Sequence, residues 1–170
     1  VMLRRPTDAE ETTAAWKMAM ENVYTPTALI LSRQDVASVP NTSAEGVKKG
    51  AYIVSKDENP QVVMIASGSE VSTLMAGAEL LRAEGVRLQI VSVPSEAIFR
   101  QQSKEYQAEV LPQGVARFGL TAGLPCNLEG LVGEHGTVWG LNSFGFSAPY
   151  KVLDEKLGFT AENVYNQVKA

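Results

Sequence analysis

The chain has 170 residues, of which 45% are apolar and 20% charged, enough for one well-buried core at ordinary domain size. Its 15 basic residues are scattered among 19 acidic ones, for a net charge of -4 and a pI of about 5.1, which excludes general attraction to nucleic acid or to an anionic membrane. No apolar run approaches bilayer length, Val1-Met-Leu-Arg-Arg5 lacks the order of a signal peptide, and the single cysteine, Cys126, excludes a disulfide framework and a thiolate metal cluster. These features together read as cytosolic.

In chain order, Val1 to Arg4 reads as a short strand broken by Pro6. Thr7 followed by Glu10 has capping-box spacing, and Ala9, Thr12, Thr13, Trp16, Met20 and Val23 recur at helical intervals as the expected inward face. Pro26 closes that helix, and residues 27 to 32 form an apolar run that reads as a buried strand. One strand, helix, strand unit cannot cover both faces of its own sheet, so its partners are expected elsewhere in a longer polypeptide, with Val1 not a natural start.

Residues 36 to 60 are polar, carry Pro40 and Pro60, and show little periodicity. They read as a linker with one edge strand at Ala51 to Val54. The expected division is therefore 1–40 as the end of one domain, 41–60 as linker and 61–170 as a second domain.

From Gln61 strands and helices alternate. Val62 to Ala66 is a strand, Ser67 or Ser69 caps a helix with the stripe Val71, Leu74, Met75, Ala78 and Leu81, and Gly85 ends it. Val86 to Val93 is the next strand, Pro94-Ser95 opens a short helix through Phe99, and Ser103 starts another carrying Tyr106 and Val110. Val115 to Leu120 and Thr137 to Leu141 complete the strands around a helix at Leu128 to Val132. Ser147 is read as the cap of a helix with Pro149 in its first turn and Gly158 past its end, and Thr160 caps the last helix, with Val164 and Val168 inward. The pattern predicts an α/β fold: a three-layer, open, mostly parallel sheet preceded by the βαβ remnant of a second α/β domain.

Among residues able to do chemistry, Arg33 stands out by position. The run Thr27-Ala-Leu-Ile-Leu ends at Ser32-Arg33-Gln34, and a permanent cation at the carboxyl end of a strand is sited to hold an anion. A phosphate clamp and an ordinary surface arginine both remain open on these residues alone. Gly68-Ser69-Glu70 opens a helix, where an anion seat competes with simple capping by Glu70. His135 lies in a turn-like Gly-Glu-His-Gly and Cys126 has no basic neighbour in sequence, so both read as idle. No metal-binding pattern is present.

The ordered series Arg5-Pro-Thr-Asp-Ala-Glu-Glu-Thr12, Pro26-Thr-Ala-Leu-Ile-Leu-Ser-Arg-Gln34, Lys49-Gly-Ala-Tyr52, Ala66-Ser-Gly-Ser-Glu-Val71, Val91-Ser-Val-Pro-Ser95, Gly145-Phe-Ser-Ala-Pro149 and Gly158-Phe-Thr-Ala-Glu-Asn-Val164 resembles the C-terminal part of a transketolase. The resemblance covers nearly the whole chain. It implies the end of a pyrimidine-binding domain over 1–40 and the family's C-terminal domain over 61–170. It also implies transfer of a two-carbon ketol unit between sugar phosphates in the pentose phosphate pathway. Thiamine diphosphate and a divalent metal, Mg or Ca, are implied for a cytoplasmic homodimer, with their ligands in upstream domains, and Arg33 matches the arginine that binds the substrate phosphate. A segment with that content is expected to be inactive alone, with no catalytic, cofactor or metal residue of its own. Asp35 and Thr121 stand where the family commonly has other residues. Other readings are an independent small-anion-binding regulatory module, or the C-terminal part of deoxyxylulose-phosphate synthase or of a 2-oxoacid dehydrogenase E1.

Overall fold

The structure is a computed structural model and describes residues 1–170. The first unit is β1 (Met2–Arg4), α1 (Ala9–Glu21) and β2 (Thr27–Leu29), with β1 and β2 parallel and Arg4 opposite Leu29. It leads through α2 (Ala44–Lys49) to β3 (Tyr52–Lys56), β4 (Val62–Ala66), α3 (Glu70–Ala83), β5 (Leu88–Ser92), α4 (Glu96–Phe99), α5 (Lys104–Val110), β6 (Ala116–Leu120), α6 (Cys126–Val132), β7 (Thr137–Trp139), α7 (Tyr150–Leu157) and α8 (Ala161–Lys169). The second sheet has five strands in the order β3-β5-β4-β6-β7. β3 runs antiparallel at one edge and the others are parallel.

Period-two alternation sends successive strand residues to opposite faces, and here both faces are covered, which is why β4 reads as an unbroken apolar run and β5 as an apolar run interrupted by the buried Gln89 before it ends at Ser92. Met64, Ala66, Leu88 and Ile90 pack with Val71, Leu74, Ala78 and Leu81 of α3 and Val164 of α8. Val63, Ile65, Val91 and Val93 face Phe99, Val110, Leu128, Leu131 and Val132 from α4 to α6. The three-layer mostly parallel fold expected from the sequence is the fold observed. Gly77 lets α3 and α8 approach closely, since a Cβ there would lie 2.5 Å from Val164 Cγ1.

Several local expectations are corrected. Residues 44–56 are not linker: α2 is capped by Ser43, whose side chain accepts from Gly46 N–H, and ends at Gly50 in the left-handed region (φ 82°). Val47, Tyr52 and Val54 belong to the core. The expected strand at 27–32 stops at Leu29, because β1 supplies no backbone partner beyond the bond from Ile30 N–H to Arg4 C=O; Ile30 and Leu31 are about half exposed.

Helix α1 is capped by Asp8 rather than Thr7. Its buried face is Glu11, Ala14 and Ala15, with Trp16 and Met20 turned outward. The alanines allow close approach to the second sheet's core, so the bulky stripe is left on the other side. Ser69 precedes α3 without a side-chain cap bond, and α7 starts at Tyr150 after Pro149, with no cap from Ser147. Strands β5 and β7 are shorter than expected, at Leu88–Ser92 and Thr137–Trp139.

Candidate functional site

Arg33 lies in the exposed loop beyond β2, at the carboxyl end of the short parallel sheet. That loop, residues 30–37, forms one wall of a cavity of about 760 Å³. The β4–α3 turn with the first turn of α3 (Gly68 to Glu70, Ser72, Thr73) forms the second, and Ala148 to Tyr150 with Leu153, Asp154 and Phe159 forms the third. Sequence reasoning placed Arg33 and missed the third wall, because no local signal joins residues more than a hundred positions apart.

Two cations line the cavity, Arg5 and Arg33. Arg5 Nη2 is 2.6 Å from Glu70 Oε2. Arg33 has no ion pair or hydrogen bond within the chain, so its planar fork of donors is free for an incoming anion. Asp35 and Asp154 also face the cavity, and burial raises the Asp154 pKa.

The α3 N-terminus is not free to hold an anion, because Glu70 supplies its own. Glu70 is 5% exposed and accepts from Ser69 Oγ at 2.9 Å and Ala122 N–H at 3.4 Å in addition to its Arg5 pair. Burial nevertheless raises its pKa, against the lowering effect of Arg5 and the hydrogen bonds. Gly68 adopts φ +65°, and a Cβ there would come within 3.2 Å of Arg5 Nε, so the glycine lets Arg5 lie across the turn.

Arg5 also ties the two sheets together through the backbone, its N–H donating to Pro94 C=O at 2.8 Å and its C=O accepting from Gly68 N–H at 3.1 Å. This seam is reinforced by a buried polar cluster. Glu11 Oε1 accepts from Ser92 Oγ at 2.6 Å and Tyr52 Oη at 2.8 Å, and Oε2 from Thr7 N–H at 2.8 Å. Asp8 Oδ2 accepts from Val39 N–H and Thr42 Oγ1. Desolvation raises the Glu11 pKa and, together with the neighbouring Glu11 charge, that of the Tyr52 phenol. The cluster fixes the first unit, and with it the Arg33 loop, against the second sheet.

His135 is exposed in the turn after α6 and does not line the Arg33 cavity. Cys126 is exposed at the start of α6, on a different cavity.

A model of the Transketolase-like TK C-terminal domain family matches residues 50–160. The transketolase of Geobacillus stearothermophilus is 42% identical over 98% of this chain, and that of Bacillus subtilis 42% identical over 99%. The chain spans about a quarter, 26%, of the length of each of these curated relatives. Among solved structures, the transketolase from Leishmania mexicana has a TM-score of 0.91 at 38% identity, covering 98% of this chain and 24% of its own. That of Pichia stipitis in complex with sedoheptulose 7-phosphate has a TM-score of 0.92 at 31% identity, covering 98% of this chain and 24% of its own.

Proposed function

The chain belongs to the transketolase family, whose C-terminal domain it carries, and from that premise we propose that it works as part of an intact enzyme moving a two-carbon ketol unit between sugar phosphates. Arg33 is the substrate-phosphate residue in this reading. The observation that carries it is an unpaired guanidinium at the edge of a cavity whose other cation, Arg5, is already paired. A guanidinium stays charged at any working pH and meets phosphate with two parallel N–H donors. Gripping the phosphate far from the reacting carbons orients a long, flexible substrate, so the binding energy lowers the entropic part of the barrier as well as KM.

Residues 1–40 are assigned to the end of the pyrimidine-binding domain. The C-terminal domain is assigned to the second sheet, with α2 and β3 included. No group of three His, Cys, Asp or Glu side chains that could hold a metal ion lies together in this chain, and thiamine diphosphate is expected as the cofactor of the intact enzyme. That cofactor, with its Mg or Ca ion, is assigned to the part of the enzyme this chain does not span, in a cytoplasmic homodimer of the pentose phosphate pathway. The segment alone is then inactive, and its contribution is Arg33 and a folded domain that supports assembly. The test is a ketol-transfer assay with a ketose phosphate donor and an aldose phosphate acceptor. Turnover by the intact protein, dependent on thiamine diphosphate and absent from residues 1–170 alone, is expected. Turnover by the segment alone contradicts the assignment.

A further inference from the structure

A second cavity, of about 580 Å³, lies at the carboxyl edge of the five-stranded sheet, apart from the Arg33 loop. Its position follows from the connectivity. β4 is flanked by β5 on one side and β6 on the other. The chain leaves β4 through α3 on one face of the sheet and leaves β6 through α6 on the opposite face. Diverging connections at neighbouring strand ends open a crevice, where ligands of such sheets bind. The volume falls in the range of small-molecule sites.

The walls place hydrogen-bonding groups with spare capacity at the ends of three neighbouring strands. Ser67 follows β4, and its hydroxyl has no partner within the chain. Ser95 follows β5 and is 3% exposed, yet its hydroxyl reaches only the Met2 thioether at 3.7 Å, a weak acceptor. Thr121 follows β6 and is 2% exposed; its oxygen accepts from Gly123 N–H, leaving its own proton to donate. Asn127 adds an amide with no side-chain bond.

Charge comes from Arg5, engaged by Glu70, and from Arg100, whose Nε and Nη2 meet Glu96 Oε1 at 2.7 and 2.5 Å and leave Nη1 free. Leu3, Val93, Pro94 and Leu128 supply the apolar surface. A buried hydroxyl held only by a weak acceptor, as at Ser95, gains from a ligand group that completes it.

We infer that this crevice is a second ligand site, distinct from the Arg33 cavity, for a monophosphate ester of a small polyol: hydroxyls to satisfy Ser67, Ser95, Thr121 and Asn127, and one anionic end for Arg100. The inference does not depend on Arg33 binding substrate.

Cys126 lines the crevice, is exposed and is the chain's only cysteine, so its alkylation reports occupancy directly. The experiment measures the rate of iodoacetamide modification of Cys126 in the 170-residue chain against increasing ribose 5-phosphate, with ribose and inorganic phosphate as separate probes. Ribose 5-phosphate is expected to slow modification saturably in the wild type and in Arg33→Ala. In Arg100→Ala and Asn127→Ala the half-saturating concentration is expected to rise roughly tenfold, the loss of one charged or polar contact. Both of these side chains are exposed, and unchanged thermal midpoints confirm that the variants fold. No slowing at any concentration overturns the inference, as does slowing that persists undiminished in Arg100→Ala and Asn127→Ala. Loss of the effect in Arg33→Ala assigns the ligand to the other cavity, and equal protection by inorganic phosphate alone removes the role of the hydroxyls.

Discussion

Replacing Glu11 by alanine tests the seam that holds the two units together. The carboxylate is 0% exposed, and it is the acceptor for Ser92 Oγ, Tyr52 Oη and Thr7 N–H. Truncation orphans all three, though Thr7 Oγ1 at 3.3 Å gives Ser92 an alternative partner. Two fully orphaned buried donors at about 1–3 kcal/mol each, offset in part by no longer desolvating a charge, predict a loss of about 3 kcal/mol. That is a large share of the roughly 5–15 kcal/mol available to a domain.

Urea denaturation of the 170-residue chain at neutral pH, followed by far-UV circular dichroism, measures it. Glu11→Gln separates charge from shape, because its amide oxygen still accepts from Thr7 while its NH₂ donates to the two hydroxyls, which rotate to accept. Burial raises the Glu11 pKa, so the folded state holds this proton more tightly than the unfolded chain. The corresponding stabilisation is full below the ordinary glutamate value of about 4.3 and is lost as pH rises through the raised value. Glu11→Gln should remove that component, and the difference between the two stability curves isolates it from Glu70, whose shift has the same sign. A loss below about 1 kcal/mol in Glu11→Ala, or parallel pH curves for wild type and Glu11→Gln, refutes the reasoning.

Two other substitutions have opposite expected signs. Gly77→Ala improves helix propensity by about 1 kcal/mol but sets a Cβ 2.5 Å from Val164 Cγ1. Since Val164 is fully buried, the variant should have a lower thermal midpoint, with a net loss of about 1–2 kcal/mol. Arg4 is 3% exposed, bonds only to the Met18 thioether and leaves Nε without an acceptor. Arg4→Met should therefore raise the thermal midpoint, by about 1–2 kcal/mol of stability.

The second sheet was legible because its physics is local. A parallel strand covered on both faces is mostly apolar, as Val62 to Ala66 is and as Leu88 to Val91 is apart from Gln89, whose buried amide donates to Val110 C=O. Caps at Ser103 and Thr160 bond to the N–H groups of Tyr106 and Asn163, as their sequence positions predict. Helix α2 escaped detection because six residues with one core side chain, Val47, show no periodicity, although Ser43 and Gly50 were its visible start and stop.

In α1 the helical spacing pointed to the bulky stripe with Trp16 and Met20 as the inward face, and the structure buries the other one. The choice fell to the small one, because Ala14 and Ala15 fit against a surface that only the tertiary fold supplies. The place of Arg33, in the loop beyond β2 and beside a cavity, could be read from the apolar run before it. The pairing of Arg5 with Glu70, and the wall from Ala148 to Phe159, required long-range contacts that no motif encodes.

The most direct test of the account is the specificity of the intact enzyme carrying Arg33→Ala, compared with wild type on an aldose phosphate acceptor and on the same aldose without phosphate. A lost hydrogen bond to a charged group is worth about 1.5–3 kcal/mol, so kcat/KM for the phosphorylated acceptor should fall roughly 10- to 150-fold, with the unphosphorylated acceptor little changed. An equal fall for both acceptors, or no fall for either, would contradict the assignment of Arg33 as the phosphate clamp.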